Sequence, residues 1–172
     1  QGTPLDNPTI IAQTGWRTDN LLRAIAAAEA DGRLAAGGYD MVSLLIGVNN
    51  QYQGGAVETF RAEFAELLRV AQKLARGNAR RIVVLSIPDY SVTPFAANSN
   101  RAAIAEAINR FNAAKREECD KAGVAFVDIT PLSREAAQRP SFIISDGLHP
   151  SRLQYGEWAA LALPAALDLL KK

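Results

Sequence analysis

The chain has 172 residues, 48% of them hydrophobic, so it is long enough for one well-buried domain and too short for two. Its 19 lysines and arginines nearly balance its 18 aspartates and glutamates, which argues against a surface built to bind nucleic acid or anionic lipid. No apolar run approaches the ~18 residues that a membrane-spanning helix needs. We therefore expect one globular domain over residues 1–172, in which the single cysteine, Cys119, is a structural or surface thiol.

Short apolar runs alternate with longer amphipathic stretches along the chain. The runs predict four strands, at residues 9–12, 41–46, 81–87 and 124–128. The amphipathic stretches predict four helices, at about residues 20–31, 57–75, 99–121 and 156–170. The second and third helices each have an apolar stripe expected to face the core: Phe60, Phe64, Leu67, Leu68 and Ala71, then Ile104, Ile108 and Phe111. The alternating order predicts an α/β fold of three layers, with a parallel sheet between two layers of helices.

Small and polar residues follow three of the predicted strands, and ligand sites of parallel sheets form where strands end and helices begin. Gly15 follows the first strand, in a turn whose backbone N–H can approach a ligand closely. Asn49 follows the second strand directly after a turn at Gly47, and residues 88–95 after the third strand have the composition of a pocket wall. Each feature alone is compatible with an ordinary turn, so their joint placement carries the prediction of a site.

The only histidine of the chain, His149, comes three residues after Asp146. A carboxylate one turn before an imidazole can accept its Nδ1–H and leave Nε2 free as a general base. Such a base activates a nucleophile by taking its proton. None of the eight serines, however, lies in a Gly-x-Ser-x-Gly elbow or a comparable glycine-flanked turn. A lone histidine without cysteine partners or clustered carboxylates also argues against a metal site. The sequence thus predicts half of a catalytic site, with no metal and no organic cofactor.

Three segments resemble three of the four sequence blocks of the SGNH (GDSL-type) hydrolases, in the same order and with similarly wide spacing. They are Ala12-Gln13-Thr14-Gly15-Trp16, Gly47-Val48-Asn49-Asn50 and Asp146-Gly147-Leu148-His149. The resemblance implies a serine esterase or lipase that hydrolyses esters through an acyl-enzyme, on a flavodoxin-like SGNH-hydrolase fold. It also implies that the Gly15 N–H and the Asn49 amide help form the oxyanion hole, that His149 is the base and that Asp146 orients it. One departure is Asn50, where many members have aspartate.

The first block of that family, a Gly-Asp-Ser turn after the first strand, is absent from the sequence. The resemblance implies the strand order 2-1-3-4-5, so the absent strand would lie between residues 9–12 and 41–46. We expect a βα segment of roughly 30 residues, carrying the serine, to precede Gln1. Without it, two neighbouring strands would have open edges. Residues 1–172 alone are therefore expected not to fold stably, or to pair these two strands directly.

Aromatic residues follow the same strands and are candidates for substrate contact: Trp16, Tyr52, Tyr90 and Phe95. They could form an apolar wall for a short acyl chain or stack on a sugar ring. The expected partner is accordingly a small-molecule, carbohydrate or lipid ester.

Two alternatives belong to other functional classes. In the first, the chain is a non-catalytic ligand-binding domain on the same fold, where Asp146 and His149 form only a polar turn and Ser151 caps the last helix. The second is a nucleotide- or phosphate-binding α/β domain. No G-x-G-x-x-G or G-x-x-x-x-G-K-[ST] follows any predicted strand, which argues against the second alternative.

Overall fold

The computed structural model of the protein describes residues 7–170. Within them, three short strands form a parallel sheet in the order β1-β2-β3: Val42–Leu44, Ile82–Leu85 and Ala125–Val127. The α-helices of the same part are α1 Thr18–Ala30, α2 Val48–Tyr52, α3 Val57–Leu74, α4 Arg101–Ala122, α5 Thr130–Arg134 and α6 Arg152–Leu169. No helix between residues 7 and 170 combines the length and the apolar character needed to cross a lipid bilayer.

The predicted α/β class with a parallel sheet is confirmed, and the four predicted helices correspond to α1, α3, α4 and α6. Helix α6 begins before the predicted residue 156 because Ser151 caps it: its side chain accepts the N–H of Gln154. Helix α2 was not predicted, since five residues are too few to show a helical pattern.

Residues 9–12, predicted as the first strand, do not form one, so that prediction is wrong. They pair with no strand of the described part of the chain, and Ile10 is 77% exposed. A β-branched run becomes a strand only where a neighbouring strand satisfies its backbone groups. The expected direct pairing with the next strand is also absent, because β1 pairs with β2 and no other strand within residues 7–170. The observed order still agrees with the last three positions of the flavodoxin-like order.

The apolar core lies between the sheet and helices α3 and α4, and the stripes predicted for both helices contribute to it. On β2, Ile82 and Val84 belong to this core, so Val83 lies on the opposite face of the sheet. Helix α6 packs against β2 and β3, and Val83 is buried. Its register partner on β1, Ser43, is exposed. Helix α6 therefore covers β2 and β3 but leaves the same face of β1 uncovered.

Helix α4 contributes a fully buried lysine to the core. Lys115 Nζ donates to the carbonyl oxygens of Ile46 and Leu85, at 2.8 and 2.7 Å. Burial removes water from the ammonium and lowers the pKa of Lys115 to about 7. One turn further along the helix, burial raises the pKa of the Cys119 thiol to about 12.

The free energy of unfolding of the protein is expected to rise with pH between about 7 and 9. In this window the folded chain has released the Lys115 proton and the unfolded chain still holds it, so unfolding takes up a proton and becomes less favourable as pH rises. One proton corresponds to a slope of up to ~1.4 kcal/mol per pH unit. Above that window Cys119 opposes the rise, because its thiol ionises less readily in the folded state.

Lys115→Met is expected to remove this slope in urea denaturation at successive pH values, followed by circular dichroism. Lys121→Met, at the exposed end of the same helix, is the matched control and should keep it. Equal slopes in the wild type and in Lys115→Met would contradict the assignment.

Candidate active site

His149 and Asp146 lie in one surface turn before α6. The His149 Nδ1 atom is 2.6 Å from Asp146 Oδ2, and Asp146 Oδ1 accepts the backbone N–H groups of Leu148 and His149 at 2.9 Å each. The backbone bonds from His149 and Leu148, followed by the imidazole bond, lower the pKa of Asp146 to about 2. The carboxylate therefore stays charged over the ordinary pH range, and as the acceptor at Nδ1 it leaves the lone pair on Nε2.

The turn that carries this pair is closed by its own backbone and packed against a second loop. Ile144 N–H donates to the His149 carbonyl oxygen at 2.9 Å, and Phe95 N–H donates to the Gly147 carbonyl oxygen at 2.9 Å. Gly147 has a φ of 74°, and a Cβ added there would lie 3.3 Å from the Pro94 Cβ. A glycine at this position thus permits the close approach that places His149 and Phe95 on walls of the same cavity.

The Gly15 turn and the Asn49 turn are tied together by side-chain amides. Asn49 Nδ2 donates to the carbonyl oxygen of Trp16 at 3.0 Å, and Gln53 Nε2 donates to the carbonyl oxygen of Gly15 at 3.3 Å. The bond to Trp16 uses one of the two N–H groups of the Asn49 amide and leaves the second available. The Gly15 N–H has no hydrogen-bond acceptor in the described part of the chain. Two donors are therefore present at this side of the cavity.

Asn50 ties the Asn49 turn to the start of α1 from the protein interior. Its side chain is buried, its Oδ1 accepts the Thr18 N–H at 3.1 Å, and its Nδ2 donates to Thr18 Oγ1 at 2.6 Å. The Thr18 hydroxyl in turn donates a hydrogen bond to Glu63. Because the hydroxyl proton is already used, Thr18 Oγ1 needs a donor from its other neighbour, which asparagine supplies and aspartate does not. This network accounts for the asparagine at the position where the resemblance implies aspartate.

One cavity of about 530 Å³ brings the separate turns together at the carboxyl ends of β1 and β2. Its lining includes seven of the eight residues that sequence analysis singled out: Gly15, Trp16, Asn49, Tyr52, Tyr90, Phe95 and His149. The eighth, Asp146, does not line the cavity, but it bonds to His149, which does. The structure thus unites a positioned imidazole with a backbone N–H and an amide that lie far apart in the sequence.

Three of the aromatic residues form a cluster at the cavity. The ring centroid of Tyr52 lies 5.9 Å from that of Tyr90 and 6.0 Å from that of Phe95. Tyr52 is 55% exposed and Phe95 is 46% exposed. Tyr90 is half-buried, and this burial raises the pKa of its hydroxyl group. Tyr52 and Phe95 therefore offer ring surface to a ligand, and Tyr90 supports them. Trp16 lines the same cavity and packs against the core.

Part of the lining was not predicted from the sequence. Helix α6 contributes Gln154, Tyr155 and Trp158, and the segment before the Gly15 turn contributes Ile11. The only sequence signal for the α6 residues was their position soon after His149, which does not show which face of a helix meets a cavity. Within residues 7–170, no group of three or more histidine, cysteine, aspartate or glutamate side chains could hold a metal ion.

Asn50→Asp is expected to lower the free energy of unfolding by ~1–3 kcal/mol, because the new carboxylate and Glu63 would compete for the single Thr18 hydroxyl proton in a buried site. Adding Glu63→Gln should restore most of the loss, since the glutamine amide can then donate to Thr18 Oγ1 while the hydroxyl donates to the new carboxylate. Urea denaturation of the two single variants and the double variant measures this. If Asn50→Asp lowers the free energy of unfolding by the same amount in the wild type and in the Glu63→Gln background, the network is wrongly assigned.

The chain resembles several solved structures in fold. No curated protein matches the chain. Among solved structures, a lipase/acylhydrolase from Enterococcus faecalis matches with a TM-score of 0.66 and 16% identity, over 87% of this chain and 70% of that one. A mutant of an acetyl-xylooligosaccharide esterase from Geobacillus stearothermophilus matches with a TM-score of 0.65 and 16% identity, over 88% and 68%. An alpha/beta hydrolase from the metagenome of Lake Arreo, Spain, matches with a TM-score of 0.62 and 18% identity, over 92% and 71%.

At these identities the solved structures show that the fold is shared. The sequence model of the GDSL-like lipase/acylhydrolase family matches residues 2–156, which is most of the chain. That span contains the Gly15 turn, the Asn49 turn and the Asp146–His149 turn. The chain therefore belongs to the GDSL-like lipase/acylhydrolase family, and its architecture is that of the SGNH hydrolases.

Proposed function

We propose that the protein is a serine ester hydrolase in which His149 is the general base. The observation that carries the proposal is the 2.6 Å contact between His149 Nδ1 and Asp146 Oδ2, at a cavity that Gly15 and Asn49 also line. Family membership supports ester hydrolysis as the reaction class. A positioned base beside two hydrogen-bond donors is the arrangement that acyl transfer requires.

The reaction proceeds by two acyl transfers. His149 Nε2 takes the proton of a serine hydroxyl as the serine oxygen forms a bond to the ester carbonyl carbon. The bond from that carbon to the alcohol oxygen then breaks, and the alcohol leaves with the proton from His149. Water repeats the sequence on the acyl-enzyme and releases the acid. Asp146 holds the imidazole orientation and stabilises the imidazolium that forms in each half.

The Gly15 N–H and the second N–H of the Asn49 amide stabilise the oxyanion that develops on the carbonyl oxygen. Asn49 is held on its other side by Trp16, and Asn50 ties the same turn to α1, so the donors need no rearrangement during the reaction. Loss of one such donor typically costs about 3 kcal/mol of transition-state stabilisation.

The nucleophile, in this proposal, is a serine outside residues 1–172. Among the described residues, Ser133 is the serine that lines the cavity. Its side chain is buried. Its hydroxyl donates to the Thr130 carbonyl oxygen at 2.7 Å and accepts the Asp89 N–H at 2.8 Å. A hydroxyl engaged in this way is not available to attack an ester.

An open edge of the sheet supports this part of the proposal. The second edge of β1 has no strand partner within residues 7–170, and Ser43 is exposed on the face of β1 that α6 does not cover. An added parallel strand at this edge would end beside the carboxyl end of β1, where the cavity lies. The βα segment expected from the family resemblance fits this place.

The substrate in this proposal is an ester of a short acyl group with a small-molecule, carbohydrate or lipid alcohol. Aromatic contact surface for it comes from Trp16, Tyr52 and Phe95, and Tyr90 supports the last two rings. A partly exposed ring can stack on a sugar or cover an alkyl group. The acetyl-xylooligosaccharide substrate in the name of one structural neighbour supports an acylated carbohydrate as a candidate.

A fluorophosphonate probe tests the nucleophile and the base together. In the full-length protein the probe is expected to label one serine outside residues 1–172, and His149→Ala should abolish both the labelling and the hydrolysis of a short-chain p-nitrophenyl ester. Circular dichroism of the variant controls for folding. Labelling at a serine within residues 1–172 would refute the upstream nucleophile. A wild-type protein that is neither labelled nor active would instead favour a non-catalytic binding domain.

Tyr52→Ala is expected to raise KM for a short-chain ester about tenfold, the equivalent of ~1.4 kcal/mol, with little change in kcat. The ring contributes binding in the ground state and the transition state alike, because it lies at the cavity rim and not at the reacting atoms. Tyr52→Phe is the matched control, since it keeps the ring and should keep the KM. A fall in kcat at constant KM would show that Tyr52 acts in the chemical step.

A further inference from the structure

Lys115 is a buried amine without an acidic partner. Its side chain is fully buried, and no described carboxylate forms an ion pair with it. Its Nζ lies 5.3 Å from the centre of the Phe64 ring and donates to two backbone carbonyl oxygens. Burial of an amine in such surroundings costs free energy. A leucine or methionine would fill the same volume without that cost, so the reason for a lysine lies in the two carbonyls that it binds.

Both carbonyls lie where β1 and β2 separate. The register of the two strands ends at the pair Leu44 and Val84, so beyond this pair the strand ladder no longer joins them. The Ile46 and Leu85 carbonyl oxygens accept from the same Nζ atom, at 2.8 and 2.7 Å. Lys115 thereby joins the two chain segments beneath the cavity, in place of a backbone hydrogen bond.

The Ile46 carbonyl directly precedes the turn that carries Asn49. Gly47 follows with a φ of 120°, and a Cβ added there would lie 2.8 Å from Ile87 Cδ1 and 2.9 Å from Phe60 Cε2. The turn is therefore confined on one side by the core and held at its start by Lys115. Asn49 follows Ile46 by only three positions in the chain, so both residues belong to the same turn.

We propose that Lys115 is a positioning residue for the oxyanion hole, which holds the turn from Ile46 to Asn49 in place by joining β1 to β2. This role rests on the proposed ester hydrolysis. Lys115 itself touches no reacting atom and does not line the cavity. Its effect on the reaction passes through the direction of the Asn49 amide.

Kinetics of Lys115→Met in the full-length protein provide the test, with Lys121→Met as the control on the exposed end of α4. For a p-nitrophenyl ester, Lys115→Met should lower kcat about tenfold or more with little change in KM, and Lys121→Met should change neither. In an Asn49→Ala background, Lys115→Met should lower kcat no further, because the amide that it positions is gone. An equal fall of kcat in both backgrounds would show a general structural role and overturn the proposal.

A spectroscopic measurement separates this inference from the proposed function. The side-chain amide resonances of Asn49 should shift in Lys115→Met and stay in place in Lys121→Met, whether or not the protein hydrolyses an ester. Absence of ester hydrolysis in the wild type would refute the proposed function alone. Unshifted Asn49 resonances would refute the positioning role alone.

If Lys115→Met does not fold, a pH titration of the His149→Ala variant replaces it. The pKa of Lys115 is lowered to about 7, and Cys119 is the titratable group of the described residues whose charge acts on it. With the pKa of Cys119 raised to about 12, the loss of charge near pH 7 belongs to Lys115. Over this titration, followed at the Lys115 Nζ resonance itself, the Asn49 amide resonances should move with it, and Asn49 resonances that stay constant while Lys115 titrates would overturn the proposal.

Discussion

The architecture of the site depends on how the protein satisfies backbone groups where its parallel strands separate. Inside a fold these groups lose their strand partners without gaining water, so side chains must bind them. Helix α4 supplies two of these side chains. Lys115 joins the ends of β1 and β2, and Asn112 accepts the Ile87 N–H at 2.7 Å and donates to the Ile87 carbonyl oxygen at 3.0 Å. Ser86 completes the set by accepting the Ile129 N–H at 2.8 Å. The bound ends of the separating strands thus form an ordered floor for the cavity between them.

The two halves of the candidate site differ in how the fold supports them. The Asn49 turn is held from the interior by the buried bonds of Asn50 to Thr18, whereas the bond of Gln53 to the Gly15 turn is exposed. His149 lies in an exposed turn, and its geometry depends on local bonds to Asp146. Buried contacts give the Asn49 donor a constant position, whereas the exposed imidazole stays accessible to substrate and water.

The sequence predicted the elements whose patterns are long or chemically distinctive. Helices α3 and α4, the three strands of the sheet and the contact of Asp146 with His149 all followed from local periodicity and spacing. The strand predicted at residues 9–12 was wrong because strand formation depends on a partner, which local sequence does not contain. The roles of the site residues stay predictions.

The buried polar contacts escaped prediction for a different reason. Their bonds join residues far apart in the chain, such as Asn50 and Thr18. Lys115 did leave a signal, because it continues the apolar stripe of α4 one turn after Phe111, on the side of the helix that faces the core. A charged residue in such a stripe indicates a buried polar contact even where its partners are unknown.

The buried state of Cys119 has a practical consequence for work on this protein. The thiolate is the reactive form of cysteine, and a thiol that is both inaccessible and held in its protonated form resists alkylation. Within these 172 residues there is no other cysteine. A cysteine placed at the cavity rim, for example at Phe95, would therefore accept a maleimide dye without background labelling from this part of the chain. Fluorescence from that dye could then report occupancy of the cavity directly, without an enzymatic readout.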